Sequence, residues 1–257
     1  MRKVAFITGA ARNTGYAIAR RFAADGYDVC LTSRDLQSAK EAEARIAQEF
    51  PEAKILGLAM EQADVGQIDA VFARIQETFG RLDAYAANAA DLAVGCDVYN
   101  LTPQRWDEVM DVNVRGTFLC CQRAAKLMED GGSIVFISSV HANASIVGRV
   151  AYSTSKAALG GMMRSLALEL ANRGIRVNSI IAGAIWSDRW ERQTPEETAQ
   201  RRLQYPAGRE SGTDEIAAAV AFLCGGSSAT ITGTELRVDS GISICLLPYD
   251  KEWNRHD

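Results

Sequence analysis

A tyrosine and a lysine four residues apart, Tyr152 and Lys156 in YSTSK, open a segment with helical character. On a helix that spacing sets both side chains on one face, one turn apart. A tyrosine with its ordinary pKa near 10 is a poor base at pH 7, roughly 4 kcal/mol from half ionisation. A neighbouring ammonium lowers that cost by favouring phenolate. Tyr152 so paired could take a proton from an alcohol or return one to a carbonyl. Ser139, thirteen residues upstream in IVFISSV, could hydrogen-bond the oxygen on which charge develops. Asn113, in DVNVRGTF, completes a set of four polar residues.

A second chemistry-bearing stretch lies at the N-terminus, TGAARNTGYAIA at 8–19. It follows an apolar run and leads into a helical pattern, so its backbone N–H groups and the positive end of the helix dipole would meet phosphate. Gly9 and Gly15 supply the turn, Thr14 opens the helix, and Asn13 stands where a third glycine would give closest approach. Asparagine tolerates the left-handed backbone better than most residues, so either a positive φ at Asn13 or a side-chain bond across the turn is expected. The next strand ends Leu31-Thr32-Ser33-Arg34, with no carboxylate until Asp35. An acid near that end would serve a ribose 2′-hydroxyl. Neutral Ser33 with Arg34 and Arg12 suits a 2′-phosphate instead, because guanidinium forks match phosphate oxygens. The cofactor read from these residues is NADP(H).

The rest of the chain must position these groups. Apolar runs at 3–8, 27–32, 53–59, 82–87, 132–138, 175–181 and 234–239 read as strands. Helical patterns lie between them at 14–24, 36–50, 65–79, 105–128, 151–172 and 213–224. Nearly all-apolar strands alternating with helices predict one doubly wound α/β domain of Rossmann type, a parallel seven-stranded sheet covered on both faces, over residues 1–241. Residues 242–257 form a C-terminal tail, in which Leu246, Leu247 and Trp253 could cover a pocket. The 257 residues carry 47% hydrophobic and 23% charged residues and a formal net charge of -4. That balance, without a dense basic run, argues against nucleic acid. No stretch reaches the length of a membrane helix, and the first strand leaves no room for a signal peptide. Six scattered cysteines without CxxC spacing read as core residues of a reducing cytoplasm rather than as metal ligands.

The glycine turn, Asn113, Ser139 and the Tyr152–Lys156 pair together closely resemble the short-chain dehydrogenase/reductase family, from the glycine loop to LRVDSG at 236–241. The resemblance implies that Asn113, Ser139, Tyr152 and Lys156 are catalytic, with Lys156 also binding the nicotinamide ribose and Asn113 holding a water in a proton relay. It places Glu61 near the adenine, Asn88 in the turn after the fourth strand, and Ile185 and Ser187 against the nicotinamide amide and pyrophosphate. The full expected cofactor set is Gly9, Arg12, Asn13, Thr14, Gly15, Ser33, Arg34, Glu61, Gln62, Asn88, Tyr152, Lys156, Ile185 and Ser187. It also implies a homotetramer or homodimer pairing its long helices. Departures from the family pattern fall on scaffold positions: Asn13, Ala87, Ala90, Ala182 and Ser240.

The residues expected around a substrate are Asp91, His141, Asn143, Arg149, Trp186, Arg189 and Trp190, under a lid at 187–208. Polar groups beside tryptophan suit a small hydroxylated or anionic molecule such as a sugar, polyol or keto acid. The function expected is therefore an NADP(H)-dependent oxidoreductase interconverting a small polar carbonyl and a secondary alcohol. Two alternatives are a 3-oxoacyl-thioester reductase and a catalytically idle nucleotide-binding protein.

Overall fold

The computed structural model describes residues 2–129, 131–187, 190 and 192–246. Strands β1 (Lys3–Ile7), β2 (Tyr27–Ser33), β3 (Ile55–Ala59), β4 (Ala84–Ala87), β5 (Gly132–Ser139), β6 (Ile175–Ala182) and β7 (Glu235–Val238) run parallel in one sheet. Their order is β3-β2-β1-β4-β5-β6-β7. The helices are α1 (Asn13–Ala24), α2 (Leu36–Glu49), α3 (Val65–Phe79), α4 (Pro103–Met110), α5 (Thr117–Leu127), α6 (Val150–Glu169), α7 (Pro195–Arg202) and α8 (Thr213–Cys224). This is the doubly wound sheet that the alternating runs predict.

Alternation along each strand sends successive side chains to opposite faces. In β1, Ala5 and Ile7 join a core with Ile18 and Phe22 of α1, Ile46 of α2 and Val220 of α8. Val4 and Phe6 join the other core, with Phe72 of α3, Cys120 and Cys121 of α5 and Met163 of α6. There Phe6 stacks on Tyr85 with centroids 5.3 Å apart and meets Phe72 edge-on at 5.2 Å. Five of the cysteines are buried. No helix among the described residues is long and apolar enough to cross a membrane.

Two departures from the sequence expectation bear on the site. The helix expected at 105–128 is interrupted: α4 and α5 are separated by a wider, π-type segment, Asp111–Gly116, that contains Asn113. Such wide turns insert one residue and so offset the apolar pattern of one flank from that of the other, a shift that flanking helices of only 8 and 11 residues do not make legible. Among the described residues of 187–208, the segment expected as a lid, lies a short helix, α7, started by a reciprocal capping box between Thr194 and Glu197. The tail expected to begin at 242 is described only as far as Leu246, which is exposed, so Leu247 and Trp253 lie outside the described residues.

Candidate active site

The strand order reverses between β1 and β4, and a doubly wound sheet opens a crevice at the carboxyl ends of strands there. The cleft has a volume of about 710 Å³. Arg12, Asn13, Thr14 and Asn88 line it, together with Ser139, Tyr152, Lys156, Ile185 and Ser187. One cavity thus brings together three of the four expected catalytic residues and part of the expected cofactor set, while Asn113, Ser33, Arg34 and Glu61 are not in its lining.

At one end, Lys156 is buried and its Nζ donates to the Ile137 carbonyl at 2.7 Å. Burial pushes its pKa down to about 8. The ammonium lies 5.6 Å from the Tyr152 ring centroid. Ser139 closes β5; its Oγ accepts from the His141 backbone N–H at 3.2 Å, and its O–H has no acceptor among the described residues. The Asn113 side chain is heavily engaged. Its Oδ1 accepts from Asp91 N at 2.7 Å, and its Nδ2 donates to Asp91 O at 2.8 Å and to Ser155 Oγ at 2.9 Å. Both amide hydrogens are thereby committed to protein partners. Ser155 Oγ in turn donates to the Tyr152 carbonyl at 2.7 Å. Ser155 is a member of this network that the spacing argument passed over, although it stands inside YSTSK.

At the other end, α1 begins without a side-chain cap and without an acid in its first turn, so its N–H groups remain available to an anion. A Cβ at Gly15 would lie 2.6 Å from Asn88 Nδ2 and 2.7 Å from Ala10 Cα, so glycine is required for the turn to close. Asn88 fastens it by donating to the carbonyls of Thr8 and Gly9, each at 2.9 Å. Gly9 has φ +64° and Asn13 has φ +49°, the left-handed backbone expected at Asn13. Ser240, another residue in a glycine place, has φ +57°. Arg12 and Arg34 are exposed, and among the described residues neither forms a salt bridge. Asp35 accepts from Ser38 N at 2.8 Å and from Ser38 Oγ at 2.6 Å, capping α2. These features fit the phosphates of a dinucleotide.

Other expected residues have different surroundings. Glu61 Oε1 accepts from Ala63 N at 3.3 Å. Gln62 is buried, and its amide donates to Val112 O and Thr117 Oγ1, away from the cleft lining. The Asp91 carboxylate is held by Arg105 at 2.6 and 2.7 Å, which keeps its pKa below the usual carboxylate range. His141 meets the Tyr152 ring edge-on at 5.6 Å, and burial together with the charge of Arg149 lowers its pKa. Arg149 donates to Leu92 O at 2.7 Å, and Asn143 is exposed. Trp186 and Trp190 do not line the cleft; they border a second cavity of about 510 Å³ with Arg202. Arg189 lies outside the described residues. Arg192, an arginine that nothing but its place in the lid would single out, lines the cleft.

A sequence model described as enoyl-(acyl carrier protein) reductase matches residues 9–243. The chain is 34% identical to a D-threitol dehydrogenase of Mycolicibacterium smegmatis, over 94% of this chain and 93% of that one. It is also 34% identical to a 3-oxoacyl-acyl-carrier-protein reductase of Staphylococcus aureus, over 94% and 98%. A blue fluorescent protein from a metagenomic library, solved in complex with NADPH, superposes with a TM-score of 0.86 at 32% identity, over 93% of this chain and 97% of that one. The chain belongs to the short-chain dehydrogenase/reductase family, oxidoreductases that use nicotinamide cofactors.

Proposed function

We propose that the protein uses NADP(H) to interconvert a small polar carbonyl compound, a sugar, polyol or keto acid, and the corresponding secondary alcohol. The observation that carries this reading is the shared cleft: the Ser139–Tyr152–Lys156 group and the uncapped start of α1 border one cavity. Residues of the α1 turn and Asn88 would hold the phosphates, and a bound nicotinamide would supply hydride transfer. Tyr152 would hold the transferred proton on its phenol oxygen. The Lys156 ammonium, fixed on the Ile137 carbonyl, would favour the phenolate and remains largely protonated at pH 7. Ser139 would donate its free O–H to the substrate oxygen. The preference for NADP(H) is supported by Asp35, which is engaged in capping α2, while Arg12 and Arg34 form no salt bridge among the described residues.

The test is a panel of polyols, sugars, keto acids and an acetoacetyl thioester, each assayed with NADPH or NADP and with NADH or NAD. Turnover of a polyol or keto acid with a higher kcat/KM for the phosphorylated cofactor is the expected result. Preference for the acetoacetyl thioester would move the chain toward its acyl-carrier-protein relative. Cofactor binding without turnover anywhere would favour an idle nucleotide-binding protein. We also propose a homotetramer or homodimer paired through α5 and α6, where Phe118 and Leu168 are exposed; a monomer by light scattering would refute it.

A further inference from the structure

The catalytic wall is held from behind by residues that touch neither end of the cleft. Gln62 Nε2 donates to Val112 O at 2.8 Å and to Thr117 Oγ1 at 3.1 Å, one acceptor within the wide Asp111–Gly116 segment and one just after it. Gly116 lies so close to the same residue that a Cβ there would sit 2.8 Å from Gln62 Cγ and nearer still to its carbonyl oxygen. Wide turns of this kind distort the regular hydrogen-bond ladder and concentrate at functional positions. Here a buried amide occupies one of the turn's carbonyls.

A second support approaches from the opposite side. Arg105 holds the Asp91 carboxylate through both Nη atoms, and Asp91 Oδ1 also accepts from Ala93 N at 2.8 Å. Ala93 has φ +48°, a left-handed conformation that a residue with a Cβ keeps only where its surroundings enforce it. The backbone N–H and C=O of Asp91 then grip the two ends of the Asn113 amide. Asn113 continues to Ser155 Oγ, and Ser155 to the Tyr152 carbonyl.

We infer that Gln62 and the Arg105–Asp91 pair form a two-sided clamp on the wide turn, setting the position of Asn113 and, through Ser155, that of Tyr152. Both are positioning residues, and the inference rests on Tyr152 being the acid/base of the proposed reaction. Gln62 follows Glu61, so the clamp ties the loop after β3 to the reacting end of the cleft. Its loss would let the first turn of α6 move relative to Lys156 and His141, titratable groups packed against the Tyr152 ring among the described residues.

The experiment uses protein labelled with ¹³C at the tyrosine ring, with and without oxidised NADP, and Tyr152→Phe to assign the signal. Gln62→Met keeps the side-chain volume and removes both donors. It should raise the apparent pKa of Tyr152 by about one unit, because the phenolate then lies farther from the ammonium. The kcat for the best alcohol of the panel should fall about tenfold near neutral pH, with KM changed less than twofold, since only correctly ionised enzyme turns over. Asn113→Ala should produce the same titration shift, and Gln62→Met should add nothing to it. An unchanged titration in Gln62→Met, or shifts that add in the double variant, would overturn the clamp. Arg105→Met probes the other arm, and the exchange Asp91→Arg with Arg105→Asp should recover part of the wild-type titration. Should Gln62→Met fail to fold, the surface substitution Arg105→Met carries the test alone. Full turnover by Tyr152→Phe would sink the catalytic reading separately, while the titrations would still report on the clamp.

Discussion

The wall of the cleft and the segment proposed as its lid are held mainly by different kinds of contact. In the wall, Asn113, Ser155 and Lys156 are buried, and each is fixed by short hydrogen bonds to groups in other segments or an adjacent turn. In the lid, Arg201 and Arg202 of α7 pair with Glu210, whose side chain is 1% exposed, at 2.8 and 3.1 Å. The Arg201 guanidinium also lies 3.7 Å from the Trp190 ring centroid. Directional hydrogen bonds weaken steeply with misalignment, whereas the stacking of a guanidinium on an aromatic ring persists over a range of geometries. A proton-transfer group needs the first kind of support; a segment that admits substrate is served by the second.

Five measurements can break or sharpen that contrast. Tyr152→Phe should lower kcat by about a hundred- to ten-thousandfold, since it removes the proposed proton carrier. Lys156→Met has its largest effect on stability without cofactor. The unfolded lysine binds its proton up to pH 10.5 and the folded one releases it near 8, so wild-type stability rises with pH between those values. The methionine variant should be the more stable by on the order of 3 kcal/mol below pH 8, an advantage that disappears above 10.5, measured by urea unfolding at several pH values. Glu210→Gln should cost about 1–2 kcal/mol, less than a fully buried pair because Arg202 is partly exposed, and should raise KM several-fold. A Tyr152 titration that moved with Glu210→Gln would erase the distinction between wall and lid. Arg34→Ser should, on the proposed cofactor reading, reduce kcat/KM for NADP about tenfold, or 1.4 kcal/mol, and leave that for NAD unchanged. Asn13→Gly should be the mildest, shifting unfolding free energy by less than about 1 kcal/mol, because relief of the left-handed strain offsets the added chain entropy. Asn13→Val should be clearly destabilising at the same position.

The sequence was most informative where one residue has one geometric duty. The strands, the α1 turn and the shared cleft follow from apolar runs, glycines and helical spacing, and the positive φ at Asn13 follows from its place in a glycine pattern. It was least informative where a side chain chooses between two sides of the backbone. Ile185 and Ser187 line the cleft while the intervening Trp186 borders the other cavity, although all three are adjacent in the chain. Gln62 beside Glu61 reads as a cofactor neighbour, yet its amide reaches a turn fifty residues later. The wide turn itself leaves little mark, because one inserted residue only offsets the apolar pattern of α5 from that of α4, and both helices are short. Asp91 has the composition of a substrate contact, and its engagement with Arg105 depends on how a loop folds back onto α4.

The capping duty of Asp35 also separates two properties that a protein engineer would want apart. The acid nearest the end of β2 anchors α2, while Ser33, the strand's last residue, has no side-chain hydrogen bond among the described residues. A carboxylate introduced at Ser33 would leave the start of α2 untouched. On the proposed reading of the cofactor end, coenzyme choice is therefore open to change at a position whose side chain makes no hydrogen bond to the scaffold among the described residues.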